Sequence, residues 1–180
     1  MSVNEYTAVR TPKTNVTPII VFADLSSFIM SSRIDNSIFS AEFFCNLYLK
    51  DKRKFNLYFN VYVKQISYLL NLIGININTV PVLDVRRKIT SPIIGNRSFS
   101  SDPLLVSKLG NITINNYHKN SIATVIKHIP GHGLSKVDSH YNLPKVNNNI
   151  KVLNKIDFYP FKNQKALLAM TAHIIYNSID

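Results

Sequence analysis

Four short apolar runs recur along the chain, each ending at a titratable side chain, with helix-like stretches between them. The first is Ile19-Ile-Val-Phe-Ala23 before Asp24, and the second, Ile75–Val85, carries Asp84 near its end. The third, Ile122-Ala-Thr-Val-Ile126, leads into Lys127-His128, and the fourth, Ala166-Leu-Leu-Ala-Met-Thr-Ala172, into His173. The first and third runs, apolar and β-branched, predict strands buried on both faces, as in a parallel sheet, and the second is strand-like. Before the second run, Phe59, Tyr62, Val63, Ile66, Leu69, Leu70 and Ile73 recur at three- and four-residue steps. That spacing predicts one apolar helix face, with Gly74 as its C-terminal stop. Residues 103–119 predict a further helix and residues 149–163 a weaker one. Pro81 disturbs the pattern, because proline weakens a central strand unless it falls at a bulge or a strand end. Strands alternating with helices predict βαβ units and an α/β fold with parallel strands. The C-terminal ends of such strands gather on one face, where sites are built. Polar residues follow apolar runs in any protein, but four successive endings on titratable groups favour a site.

Composition narrows the class. A chain of 180 residues with 46% hydrophobic content fits one globular domain, and ten Phe and nine Tyr against five Gly argue against disorder. Residues 1–17 are polar and read as a flexible lead-in, which leaves 18–180 for the domain. The single Cys45 allows no intrachain disulfide and lies in an apolar stretch, SAEFFCNLYL. The most apolar early run carries Asp24 in its middle, so neither a membrane span nor a secretory leader is expected, and a cytoplasmic protein is. The net charge of +11 would suit a polyanion. Lys and Arg are nevertheless spread over the whole chain, with one dense cluster at Lys50–Lys54. The stretch KDKRKFNLYFNVYVK fits an amphipathic helix with solvated lysines better than a nucleic-acid surface, so no nucleic-acid partner is expected.

The densest chemistry is KHIPGHGLSKVDSHYNLP, Lys127 to Pro144. Its histidines and aspartate do not have compact zinc spacing, and Gly131-His-Gly133 does not lead into a helix as a phosphate cradle would. No metal or cofactor is expected. Asp138 and His140 flank one residue, so their side chains can meet on an extended or turning backbone. A carboxylate there fixes the imidazole tautomer and favours its protonated form, which suits a proton donor. An Asp–His hydrogen bond that only holds a loop fits the same spacing. Arg97, in IIGNRSFS, lies on a connection from which a guanidinium can reach a ligand, although a salt bridge to Asp102 would also explain it.

In order, NTVPVLDV (78–85), IGNRSFS (94–100) with Asp102-Pro103, KHIPGHG (127–133), Asp138-Ser-His140 and Met170-Thr-Ala-His173 resemble family 3 glycoside hydrolases. Within that family the pattern is most similar to the bacterial β-N-acetylhexosaminidases of peptidoglycan recycling. The resemblance runs from about residue 18 to the end. It implies a (β/α)₈ TIM barrel, of which this chain carries roughly the third to sixth βα units. It implies a site for the terminal N-acetylglucosamine of an N-acetylglucosamine-containing sugar or muropeptide, bound by Asp24, Arg97, Lys127 and His128. His140 matches the family's acid/base and Asp138 its helper, in a retaining mechanism that passes through an aspartyl glycosyl-enzyme.

A whole barrel takes about 250 residues. The family's nucleophile lies on a later strand that this sequence does not reach, and Asp180 matches a different position. After Asp24 the family's Gln-Glu-Gly-Gly-Arg type of segment is replaced by Leu25–Arg33, with Arg33 one place out of register. These departures predict weak or no turnover by the isolated chain and room for a second polypeptide to complete the barrel. The alternatives are a non-catalytic sugar-binding or interaction protein, or the remnant of a decayed gene.

Overall fold

The computed structural model describes residues 22–23, 38–88, 90, 92, 94–137 and 143–179. The lead-in at 1–17, Asp24, Arg33, Asp138, His140 and Asp180 lie outside the described residues. Strands β1 (Phe22–Ala23), β2 (Ile77–Asn78), β3 (Ala123–Ile129) and β5 (Leu168–Thr171) form one four-stranded sheet in the order β1-β2-β3-β5. Every pairing in it is parallel. A second, two-stranded parallel sheet joins β4 (Lys145–Val146) to β6 (Ile175–Tyr176).

The helical region before Gly74 is two helices, α1 (Ala41–Lys50) and α2 (Lys52–Leu72). Asp51 makes the break: its backbone is extended, and its side chain accepts from the N–H groups of Arg53 at 2.9 Å and Lys54 at 3.0 Å. A carboxylate there satisfies donors that have no partner inside the helix. Ser40 caps α1 in the same way through Phe43 N–H at 3.1 Å. Helix α3 (Pro103–Lys119) coincides with the predicted one, starting at Pro103 behind the N-cap Asp102. The weak stretch at 149–163 resolves into α4 (Ile150–Lys155) and a 3₁₀ turn at Tyr159–Phe161.

The main core lies between α1, α2, α3 and the sheet, with Val63, Leu70, Leu83, Val85, Val106 and Ile114 fully buried. Each such side chain contributes about 1.5–3 kcal/mol. The predicted stripe of α2 is shifted: Phe55, Phe59, Val63, Ile66 and Leu70 are buried, whereas Leu69 and Ile73 are exposed.

One strand departs from expectation. β2 is only two residues long, and past the cis Val80–Pro81 bond the chain keeps a single bridge, Val82 to Lys127. Proline has no N–H to give the ladder, which accounts for the interruption. β5, which lies within the fourth apolar run, is exposed at all four positions. It is bonded to β3 along one side. Among the described residues no strand pairs with its other side.

Candidate active site

β3 outlasts its apolar run by three residues, so Lys127 and His128 stand within the strand near its C-terminal end. The backbone of 81–83 runs alongside: Lys127 N–H donates to Pro81 O at 3.2 Å, and Leu83 N–H donates to Lys127 O at 2.7 Å. This places Asp84 opposite His128. The Asp84 carboxylate has no solvent exposure and accepts at both oxygens. Oδ2 faces His128 Nδ1 at 2.7 Å. Oδ1 takes the N–H of His132 at 2.6 Å and, more loosely, that of His128 at 3.4 Å. One buried carboxylate thus holds the strand end and the loop after it. Lys127, also buried, donates from Nζ to Thr79 Oγ1 at 3.3 Å.

The loop that follows rests on a second acid. Gly131 has φ +142°, and a Cβ there would come within 2.7 Å of Asp157 O. At Gly133 a Cβ would overlap Val85 O and lie 3.1 Å from Asp157 Oδ1. Only glycine allows the loop to lie this close to Val85 and Asp157. Arg87 pairs with Asp157 Oδ2 at 2.6 Å, while Asp157 Oδ1 and Arg87 Nε are buried without a hydrogen-bond partner among the described residues. Burial pushes the Asp157 carboxyl up to about 6, against the pull of Arg87 and with a further push from Asp84. Thr90 Oγ1 donates to Gly133 O at 2.5 Å and the Tyr176 hydroxyl donates to Gly131 O, so the seat has four sides.

Of the residues singled out from the sequence, Lys127 and His128 share this strand end. Arg97 ends a 3₁₀ turn, Gly95–Arg97, and is half-buried. The next residue, Ser98, donates from its hydroxyl to Asp84 O at 2.7 Å, which fastens the turn to the same strand end. Asp102 caps α3 through Leu104 N–H at 2.8 Å. His173 follows β5 and is exposed. Asp24, Asp138 and His140 fall outside the described residues, the last two directly after Val137.

Asp84, Arg87 and Asp157 were not among the predicted site residues. Asp84 stood at a strand end, which was a signal. Asp157 lay in a weak helical stretch with nothing in its neighbourhood to mark it. The thiol of Cys45 is buried and pushed up by that burial, which disfavours the reactive thiolate. Among the described residues no three His, Cys, Asp or Glu are grouped to hold a metal ion, and no helix is long and apolar enough to cross a membrane.

The glycosyl hydrolase family 3 N-terminal domain matches residues 49–180. The chain belongs to that family. Beta-hexosaminidase A of Pseudoalteromonas piscicida is 39% identical over 115 residues, which cover 62% of this chain and 19% of that protein. Beta-hexosaminidase of Idiomarina loihiensis is 39% identical over 110 residues, covering 60% of this chain and 33% of the relative. NagZ from Neisseria gonorrhoeae superposes with a TM-score of 0.71 at 27% identity, over 78% of this chain and 42% of its own. The chain therefore spans between about a fifth and a third of those two curated relatives. The fold is the expected one, part of a family 3 barrel with parallel strands, and the chain is β-N-acetylhexosaminidase-like.

Proposed function

We propose that this chain forms the sugar-binding and proton-donating part of a β-N-acetylhexosaminidase that removes terminal N-acetylglucosamine from peptidoglycan fragments. The observation that carries the reading is the strand end where buried Asp84 holds His128 beside Lys127, within reach of the turn that bears Arg97. Lys127 and Arg97 are fixed donors suited to sugar hydroxyl oxygens, and His128 adds a ring nitrogen. Asp24 would add a carboxylate. His140, assisted by Asp138, would protonate the glycosidic oxygen as the C1–O bond breaks. In the retaining course an aspartate attacks C1, and water then releases the sugar while His140 takes back a proton.

None of the 180 residues is assigned as that aspartate, so this polypeptide by itself is expected to bind sugar and turn over little. The side of β5 that pairs with no strand among the described residues supports completion of the barrel by further polypeptide, whether in the same chain or another. The reading is tested by titrating the purified protein with N-acetylglucosamine and assaying an aryl N-acetylglucosaminide. Saturable binding is expected, weakened about tenfold or more in Lys127→Ala, where a buried charged donor is lost. Equal affinity for glucose and N-acetylglucosamine, or no effect of Lys127→Ala, would overturn the sugar-site reading. Turnover at rates ordinary for enzymes would overturn the expected dependence on an added nucleophile.

A further inference from the structure

We propose that Asp84 is a positioning residue that sets the tautomer of His128, so that the ring meets a ligand hydroxyl as a hydrogen-bond acceptor. This rests on the sugar-site reading for the identity of the ligand, but not for the tautomer. Asp84 Oδ1 is already occupied by N–H donors from His132 and His128. Its Oδ2 is 2.7 Å from His128 Nδ1, and a single proton must lie between them. Imidazole is the stronger base of the two, so the proton belongs to Nδ1 and the carboxylate stays an acceptor at both oxygens.

The neutral ring then has one nitrogen left, Nε2, carrying a lone pair and no hydrogen. Nε2 has no hydrogen-bond partner among the described residues, and the side chain is 19% exposed where Asp84 is fully covered. A ring flip would set a C–H against a buried carboxylate and leave Oδ2 without its donor, which costs about 1–3 kcal/mol or more. His132 packs edge-on against the same ring, with centroids 5.7 Å apart, and further limits its turning.

An acceptor-only ring nitrogen is satisfied by a ligand group that donates. A sugar hydroxyl does this, whereas an ether or a ketone oxygen has no hydrogen to give. The Asp84–His128 pair therefore selects for a free hydroxyl at the position it faces.

The test uses the whole chain labelled with ¹⁵N on its histidines and two-bond ¹H–¹⁵N spectra at mildly alkaline pH, with His128 assigned by its loss in His128→Gln. Wild type is expected to show the Nδ1–H tautomer. Asp84→Asn can still accept the backbone N–H groups through its oxygen while its NH₂ faces the ring. It is therefore expected to switch His128 to Nε2–H and to weaken N-acetylglucosamine about tenfold or more. A merely structural Asp84 would change stability without moving the tautomer. An Nε2–H tautomer in wild type, or an unchanged tautomer in folded Asp84→Asn, overturns the proposal. Should Asp84→Asn fail to fold, the wild-type spectrum decides. If the tautomer is as expected but N-acetylglucosamine leaves the His128 signals unmoved, the sugar-site reading falls and the role of Asp84 stands.

Discussion

Gly133→Ala isolates the seat of the KHIPGHG loop in a single methyl group. The added Cβ would overlap the carbonyl oxygen of Val85 and lie 3.0 Å from Val85 C and 3.1 Å from Asp157 Oδ1. A carbon and a carbonyl oxygen approach to about 3.3 Å at closest, so the loop must withdraw by roughly 1 Å. Val85 is fully buried in the core and cannot withdraw instead. A movement of that size breaks the 2.5 Å bond from Thr90 Oγ1 to Gly133 O and strains the 2.6 Å bond from His132 N–H to Asp84. Overpacking costs about 1–3 kcal/mol, and a bond to a charged acceptor about 1.5–3 kcal/mol. The expected loss is about 3–5 kcal/mol, or roughly 10 °C in Tm for a chain of this size. Urea denaturation followed by circular dichroism measures it, with Gly74→Ala as the reference. Gly74 has φ +79° and nothing within 4 Å of its Cβ position, so that change costs only backbone strain, about 1 kcal/mol. If Gly133→Ala costs no more than Gly74→Ala, the loop is not seated by contact with Val85 and Asp157.

Two further outcomes follow from the same geometry. Asp157 has its carboxyl raised from 3.8 to about 6, so its contribution to stability is full below about 4 and is lost as pH rises through 6. That interval amounts to about 3 kcal/mol, and Asp157→Asn should flatten the pH dependence of unfolding between pH ~4 and ~6 relative to wild type. An identical slope in both proteins would show that Asp157 titrates normally. At the start of β5, whose other side pairs with no strand among the described residues, Leu167 and Leu168 are 77% and 38% exposed, a surface that invites strand pairing with another chain. Leu168→Lys should weaken any concentration-dependent self-association in sedimentation by about tenfold, and unchanged association would place the contact elsewhere.

The sequence carried α3 and β3 well, because both are announced by local signals. Pro103 behind Asp102 announced the start of α3, and the apolar run at 122–126 announced β3. What the sequence hid was set by partners far away along the chain. Nothing near residues 50–54 distinguished one long helix from two, since the outcome turns on whether the Asp51 side chain folds back onto Arg53 and Lys54. The exposure of β5 could not be read from Leu168-Ala-Met-Thr171, because an apolar strand looks the same with or without a neighbour. Asp84 was visible as a strand ending, but its hold on His128 spans 44 residues of sequence, and that of Arg87 on Asp157 spans 70. Spacing within a motif does not encode such contacts.

Those long separations also decide how the site responds to damage. Lys127 and His128 are held by strand β3, and His128 is held further by Asp84, which also ties down the loop seated on Asp157. Asp84 is placed by the bonds of Lys127 and Leu83 to neighbouring backbone, and Asp157 follows α4 on a separate element. A loss at either support frees the loop at Gly131–Gly133 while leaving the helical core, centred on Val63, Leu70 and Val106, in place. Local opening of that kind has its own free energy, smaller than that of global unfolding. Affinity for a sugar should therefore fall before circular dichroism registers any loss of helix, both in Gly133→Ala and as urea is raised on the wild-type protein. Coincident loss of binding and helix would mean that the site and the core open as one unit, and that the seat adds nothing separable to the fold.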